Sequence, residues 1–323
     1  MQQFTNILLY LNKRTEKNPA LFRACELAKI NGAKLSVIDV IEDTPNKTVF
    51  VASPNQLEIR ARDIRDVWNL KAQDRLQELA NLTAPYREQG VEVAFNVLRG
   101  FHFVEIIREV LRKKHDLLIK NAEGPGGIGE SLFGTTDTRL IRKCPTPLWI
   151  IKPSHYKPYH RILAAVDPDL EDDARNTLND AILGLATAVT KMDNSELNVI
   201  HCWNIFKDYN LYGTYQGMHM QLVKLSRQER NRRKQRLLDL VAKHSTDGVQ
   251  AKPFIFKKEA KDFIPRFASK RKVELVVMGT VCRTGIQGFL IGNTAETVLP
   301  RLDCSLLVVK PHGFVSPVTL EDD

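Results

Sequence analysis

The chain repeats itself, and nothing else in the sequence constrains its fold as strongly. Leu148-Trp149-Ile150-Ile151-Lys152-Pro153 returns as Leu306-Leu307-Val308-Val309-Lys310-Pro311, and Asp116-Leu117-Leu118-Ile119 returns as Glu274-Leu275-Val276-Val277. Gly134 returns as Gly292, and Val91-Glu92-Val93 as Val249-Gln250-Ala251. All these pairs lie 158 positions apart, with no gap between Val91 and Pro153. Upstream, Arg161-Ile162-Leu163-Ala164-Ala165-Val166-Asp167 echoes Asn6-Ile7-Leu8-Leu9-Tyr10-Leu11-Asn12. We read two homologous halves, 1–153 and 160–311, with a Pro-punctuated linker at 154–159 and a tail at 312–323. A chain of 323 residues suits two domains of roughly 100–200 residues each.

Each half alternates short apolar runs with longer amphipathic or polar stretches. In the first half the runs are Ile7–Leu11, Leu35–Val40, Val91–Leu98, Leu117–Ile119 and Leu148–Ile151. In the second they are Ile162–Val166, Leu197–Cys202, Lys252–Phe256, Leu275–Met278 and Leu306–Val309. Runs this short and mostly apolar read as strands covered on both faces. Helical stretches (Pro19–Ile30, Leu57–Glu88, Val104–Lys113 in the first half) separate them, so the strands need crossover connections and form a parallel sheet. In such sheets ligands gather beyond the carboxyl ends of the strands, at the point where the strand order reverses. The places to search are therefore the ends of the first and fourth strands of each half.

After the fourth strand of the second half comes Gly279-Thr280-Val281-Cys282-Arg283, and further on Gly292-Asn293-Thr294 ahead of Val298-Leu299. A glycine leaving a buried strand lets backbone approach a ligand closely. A Gly-Asn-Thr helix start offers free N–H groups and the positive dipole end to a phosphate. The same residues suit a turn and a capped helix that bind nothing.

The spacing Gly-x2-Gly-x9-Gly-Ser/Thr after the fourth strand, with an Asp ending the first, resembles the universal stress protein family. The second half supplies Gly279, Cys282 where the second glycine belongs, then Gly292-Asn293; the first supplies Asn121, Gly124 and Gly134-Thr135. Two halves in one chain, Gly292-Asn293-Thr294-Ala295-Glu296, and the tail from Ser316 to Asp323 resemble the family's tandem members. The resemblance implies two tandem Rossmann-like domains, each a doubly wound, mainly parallel five-stranded sheet, packed as an internal pseudo-dimer. It implies a cytoplasmic stress-response protein, a ligand-sensing or binding module supporting survival under starvation, oxidative or DNA-damaging stress. In nucleotide-binding members the first-strand Asp reads adenine and the glycine loop wraps ribose and phosphates. Carried over by position, ATP or another adenine nucleotide would meet Asp167, Gly279, Cys282, Gly292, Asn293 and Thr294, with Arg283 nearby.

The two halves depart from that pattern differently. If Cys282 takes a left-handed backbone, the penalty is about 1–2 kcal/mol. Asn12 stands where Asp167 stands in the repeat, which exchanges a charged acceptor for a neutral one at a cost of about 1 kcal/mol. Glu123 brings a carboxylate to the loop that carries Arg283 in the other half, and it would repel a triphosphate. Nucleotide is accordingly expected in the second half only.

Other chemistries find little support. Gly124-Pro125-Gly126-Gly127-Ile128-Gly129 has the dinucleotide-binding letters but follows the fourth strand, and no acidic residue ends the next one. The eight histidines show no metal-ligand spacing and read as surface or loop residues. Five scattered cysteines without a Cys-x-x-Cys pair read as reduced thiols, and the opening residues lack the basic stretch of a signal peptide. No apolar run approaches the 18 residues of a membrane span. No catalytic constellation is visible, which leaves slow nucleotide hydrolysis as one alternative function. The formal charge of +9 is densest at Arg227–Arg236, read either as a solvated helix face or as a contact for nucleic acid or an acidic protein. A further expectation is an apolar pocket lined by Tyr212, Tyr215, Met218 and Met220, near Tyr209.

Overall fold

The computed structural model describes residues 4–12, 18–42, 54–124, 131–155, 157–168, 173–204, 219–245, 248–280 and 293–320, with side chains omitted at 54–67, 173–174, 219–222 and 293–294. The first half runs β1 (Asn6–Tyr10), α1 (Pro19–Asn31), β2 (Lys34–Ile41), α2 (Pro54–Glu88), β3 (Val93–Arg99), α3 (His102–Lys113), β4 (Leu117–Asn121), α4 (Thr135–Lys143) and β5 (Leu148–Ile151). The second runs β6 (Arg161–Ala165), α5 (Asp173–Asp193), β7 (Glu196–Trp203), α6 (His219–His244), β8 (Ala251–Lys257), α7 (Ala260–Lys270), β9 (Leu275–Gly279), α8 (Asn293–Val298) and β10 (Ser305–Val309). All ten apolar runs of the sequence fall on strands.

The chain divides into two compact units, one of Gln3–Asn121 with Val318–Asp323 and one built on Ala122–Pro317. In the first, β3-β2-β1-β4 form a parallel sheet with Leu9 opposite Val37 and Ile119. In the second, β8-β7-β6-β9-β10 are parallel, and β5 joins antiparallel to β10 with Leu306 opposite Ile150. The closing strands of the two sequence halves thus pair with each other within the second unit, to which β5 belongs. Ile7–Leu9 and Leu275–Val277 are fully buried, which the helices covering both sheet faces require of them.

The repeat extends to fine detail. Helices α3 and α7 are followed by lysines in the left-handed region, Lys114 at φ 53° and Lys272 at φ 51°, 158 residues apart. Two residues later, Asp116 accepts from the Thr5 and Asn6 backbone N–H groups, and Glu274 accepts from those of His160 and Arg161. One carboxylate per half therefore fixes the start of the first strand.

Candidate ligand site at the strand ends

In the second half, β6 and β9 are neighbours, with Ala165 opposite Met278. That register brings Asp167 and Gly279-Thr280 side by side at the carboxyl ends of adjacent strands, where the connections leave toward β7 on one side and β10 on the other. Asn179 of α5 ties the turn down: its Oδ1 accepts from the Asp167 N–H at 2.9 Å and its Nδ2 donates to the Asp167 carbonyl at 3.0 Å. The carboxylate itself is one-third exposed, with Oδ2 3.6 Å from Arg175 Nη1 and Oδ1 3.6 Å from His201 Nδ1.

His201 is wholly buried, which corrects the expectation that every histidine is a surface or loop residue. Its Nδ1 lies 3.2 Å from the Val166 carbonyl as well as near Asp167. Both neighbours are acceptors, so the proton resides on Nδ1. Burial, and behind it the Asp167 charge, push the adjacent Cys202 thiol up to about 12. Thr280 is 1% exposed, and its hydroxyl has no hydrogen-bond partner among the described residues.

Gly279 has a structural reason of its own. A Cβ there would stand 2.7 Å from Leu178 Cδ2, so the glycine lets α5 pack onto the end of β9. Cys282, Arg283 and Gly292 lie outside the described residues, as do Tyr209, Tyr212, Tyr215 and Met218. Asn293 and Thr294 are seen as backbone only; they open α8, a six-residue helix starting at Asn293.

The first half has built its corresponding positions into internal structure. Leu11 and Val166 take equivalent places, their N–H groups donating to Ile38 and Ile200 at 2.9 and 3.0 Å. The register of β2 on β1 and of β7 on β6 then makes Asp39 the counterpart of His201. Asp39 is buried and holds the buried Arg75 of α2 at 2.6 Å, while Arg75 Nη2 donates to the Leu11 carbonyl at 3.0 Å. Each half thus serves the carbonyl that ends its first strand, one with an imidazole and the other with a carboxylate-held guanidinium. The carboxylate that the second half carries at 167 has moved one strand over, to 39. Burial raises the Asp39 carboxyl pKa although Arg75 opposes it.

Asn121, the counterpart of Gly279, caps α1: its Oδ1 accepts from the Ala20 N–H at 3.1 Å and its Nδ2 donates to Asn18. Glu123 does more than add negative charge. Its Oε2 accepts from the Thr136 N–H at 3.1 Å, so a side-chain carboxylate occupies the start of α4 where a phosphate would sit. Asp137 Oδ2 accepts from both Glu123 N–H and Gly134 N–H, at 2.9 and 3.0 Å. Gly124 belongs to the same closure: its N–H donates to the Leu132 carbonyl, and a Cβ on it would meet Ser131 O at 2.0 Å.

Arg175, Asn179, His201 and Thr280 were not singled out from the sequence, nor were Arg75 and Asp39. The available signal was that Asp39 and His201, four residues beyond Leu35 and Leu197, are ionisable residues inside otherwise apolar strands.

A duplicated, mainly parallel α/β fold, with Asp167 at one switch point and Asn121 at the other, defines a tandem Rossmann-like protein. The chain belongs to the universal stress protein family, whose sequence profile matches residues 3–152 and 158–310. It is similar over its full length to universal stress protein E of Salmonella typhi, 27% identical over 339 residues covering 100% of this chain and 99% of that one. Universal stress protein E of Escherichia coli K12 is 28% identical over the same shares. Among solved structures, a putative universal stress protein of Pseudomonas aeruginosa UCBPP-PA14 superposes with a TM-score of 0.70 at 24% identity, covering 95% of this chain and 94% of that one. A universal stress protein of Archaeoglobus fulgidus does so at 0.60 and 18%, covering 94% and 98%. Both share the fold. No helix among the described residues is long and apolar enough to cross a membrane, and no group of His, Cys, Asp and Glu among them could hold a metal ion.

Proposed function

We propose that the second repeat, 160–311, binds an adenine nucleotide and that the first, 1–153, does not, so that the chain acts as a cytoplasmic ligand-responsive stress protein with a single site. The observation carrying this reading is the contrast between the switch points. Asn179 holds the Asp167 backbone, and the Asp167 carboxylate, flanked by Arg175 and His201, is one-third exposed. In the first half, Arg75 and Asn121 occupy the strand ends of one unit, and in the other unit Glu123 occupies the start of α4. A carboxylate has about four lone-pair directions, so Asp167 can accept from an adenine amino group while facing its protein neighbours. Cys282, Arg283 and the Gly292-Asn293-Thr294 start would meet ribose and phosphates, as the family resemblance implies.

The test is nucleotide extraction from the purified protein, followed by calorimetric titration of the nucleotide-free chain with ATP, ADP and AMP. Loss of a charge-assisted bond of about 1.5–3 kcal/mol means Asp167→Ala should weaken binding roughly 10- to 150-fold. Asn12→Ala should leave affinity unchanged, and no phosphate should be released. A chain that takes up no adenine nucleotide at millimolar concentration, or an Asp167→Ala variant that binds normally, would overturn the reading.

A further inference from the structure

The basic run Arg227–Arg236 lies within α6, a helix that starts eight residues earlier than the run and ends eight residues after it. Its cations sort into two sets. On the inward side Arg233 lies over the Trp203 ring at 5.5 Å and bonds Glu229 at 3.2 Å. Arg232 approaches the same buried Glu229 at 3.5 Å. Further along, Lys243 and His244 both bond Asp180 at the helix's C-terminal end. These charges are used in packing.

Lys224, Arg227, Arg230 and Lys234 form the other set. All four are exposed, and none has an ion pair or hydrogen-bond partner among the described residues. At 3.6 residues per turn they fall within roughly 120° of the helix circumference, and at 1.5 Å per residue the ridge is about 15 Å long. Four uncompensated positive charges repel one another along that ridge, at a cost that a polyanion would reverse.

We infer that this outward face of α6 binds the phosphate backbone of double-helical nucleic acid without regard to sequence. Other polyanionic partners fit less well. A membrane-surface helix must bury its apolar face in lipid, but Leu237 and Val241 of α6 are already buried in the protein. Binding of single strands uses exposed aromatic platforms, whereas among the described residues the aromatic ring against α6, Trp203, is 4% exposed beneath Arg233. Protein interfaces bury an apolar centre depleted of charge. The exposed apolar residues of α6, Val223 and Leu238, sit beyond the two ends of the cationic ridge, not at its centre. A duplex strand carries one phosphate per about 3.4 Å of helix axis, so a ridge of this length spans about four of them.

The experiment is fluorescence anisotropy of a labelled 20-base-pair DNA duplex titrated with the full chain across 50–200 mM salt. Four phosphate contacts give a slope of log K on log salt of about −3.6, a loss of roughly a hundredfold in affinity over that range. Two charge-matched variants separate the ridge from bulk charge. One carries Lys224→Gln, Arg227→Gln, Arg230→Gln and Lys234→Gln. The other carries Lys71→Gln, Lys258→Gln, Lys261→Gln and Lys270→Gln, all four at exposed positions. Both have a net charge lowered by four, and circular dichroism verifies that both are folded. Support is a slope near the stated value that collapses toward zero in the first variant and persists in the second. The inference is overturned by absence of duplex binding at 50 mM salt, or by equal losses in the two variants. Tighter binding to phosphatidylserine vesicles, a poly-glutamate peptide or single-stranded DNA than to the duplex would also overturn it.

Discussion

Replacing Gly134 by alanine should expel Glu123 from the start of α4. The backbone at Gly134 has φ −86° and ψ −166°, which any residue can adopt, so glycine is not required there for its conformational freedom. What forbids a side chain is Glu123: a Cβ at 134 would lie 2.0 Å from its Oε2 and 2.7 Å from its Cβ. Those distances cannot be relieved by turning the carboxylate alone, because the second is to the root of the side chain. Expulsion forfeits the charge-assisted bond from the Thr136 N–H, about 1.5–3 kcal/mol. It also forfeits the favourable placement of a negative charge at a helix N-terminus, about 0.3–1 kcal/mol. We therefore expect Gly134→Ala to destabilise by roughly 2–4 kcal/mol in total. In a unit of this size that lowers the calorimetric midpoint by about 4–16 °C. In a Glu123→Gly background the same substitution meets no carboxylate and should cost less than about 1 kcal/mol, giving a coupling energy of about 2–3 kcal/mol in the double-mutant cycle. The assay is urea unfolding and scanning calorimetry of wild type, both single variants and the double variant. If Gly134→Ala costs the same in both backgrounds, the steric and electrostatic account of this closed site is wrong.

Three further expectations follow from the same geometry. Arg75→Met should cost about 3–5 kcal/mol by leaving the buried Asp39 carboxylate uncompensated, and Arg75→Met combined with Asp39→Asn should recover part of it, as read by denaturant midpoints. The Asp39 pKa is raised in the folded state, so this group favours folding at pH below 3.8, and its contribution falls away as pH rises through the higher folded value; Asp39→Asn should flatten that segment of the stability–pH curve. The thiols of Cys25, Cys144, Cys202 and Cys304 are each pushed up to about 12 by burial, so at pH 8 none of the four should react rapidly with a disulfide reagent, and all should react after unfolding. Fast modification of any one of them in the native chain, followed by mass spectrometry, would contradict the packing described.

The legibility of this fold in its sequence has a simple physical basis. A strand covered on both faces is mostly apolar, so the ten runs announce themselves, and a duplicated order of runs announces a duplicated sheet. Asp167 came instead from the family resemblance, through its place at the end of the first strand. Glu123 was legible in sign, as a charge hostile to phosphate, but not in what it does. Arg75 could not be picked out, because a polar helix of 35 residues offers many arginines and only packing decides which one reaches the carbonyl of Leu11. His201 was misjudged, because histidine in isolation carries no sign of whether it faces solvent or a strand-end carbonyl.

By itself, then, the sequence determined the repeat, the succession of strands and helices along each half and the unequal composition of the loops after the fourth strands, because hydrophobic period and glycine spacing are local properties of a chain. Only the tertiary structure decided that β5 joins β10, that Asp39 and His201 are counterparts, that Asp39 holds Arg75, and that Glu123 accepts from the Thr136 N–H. Those outcomes depend on groups more than ten and up to 160 residues apart coming together, which no local pattern encodes.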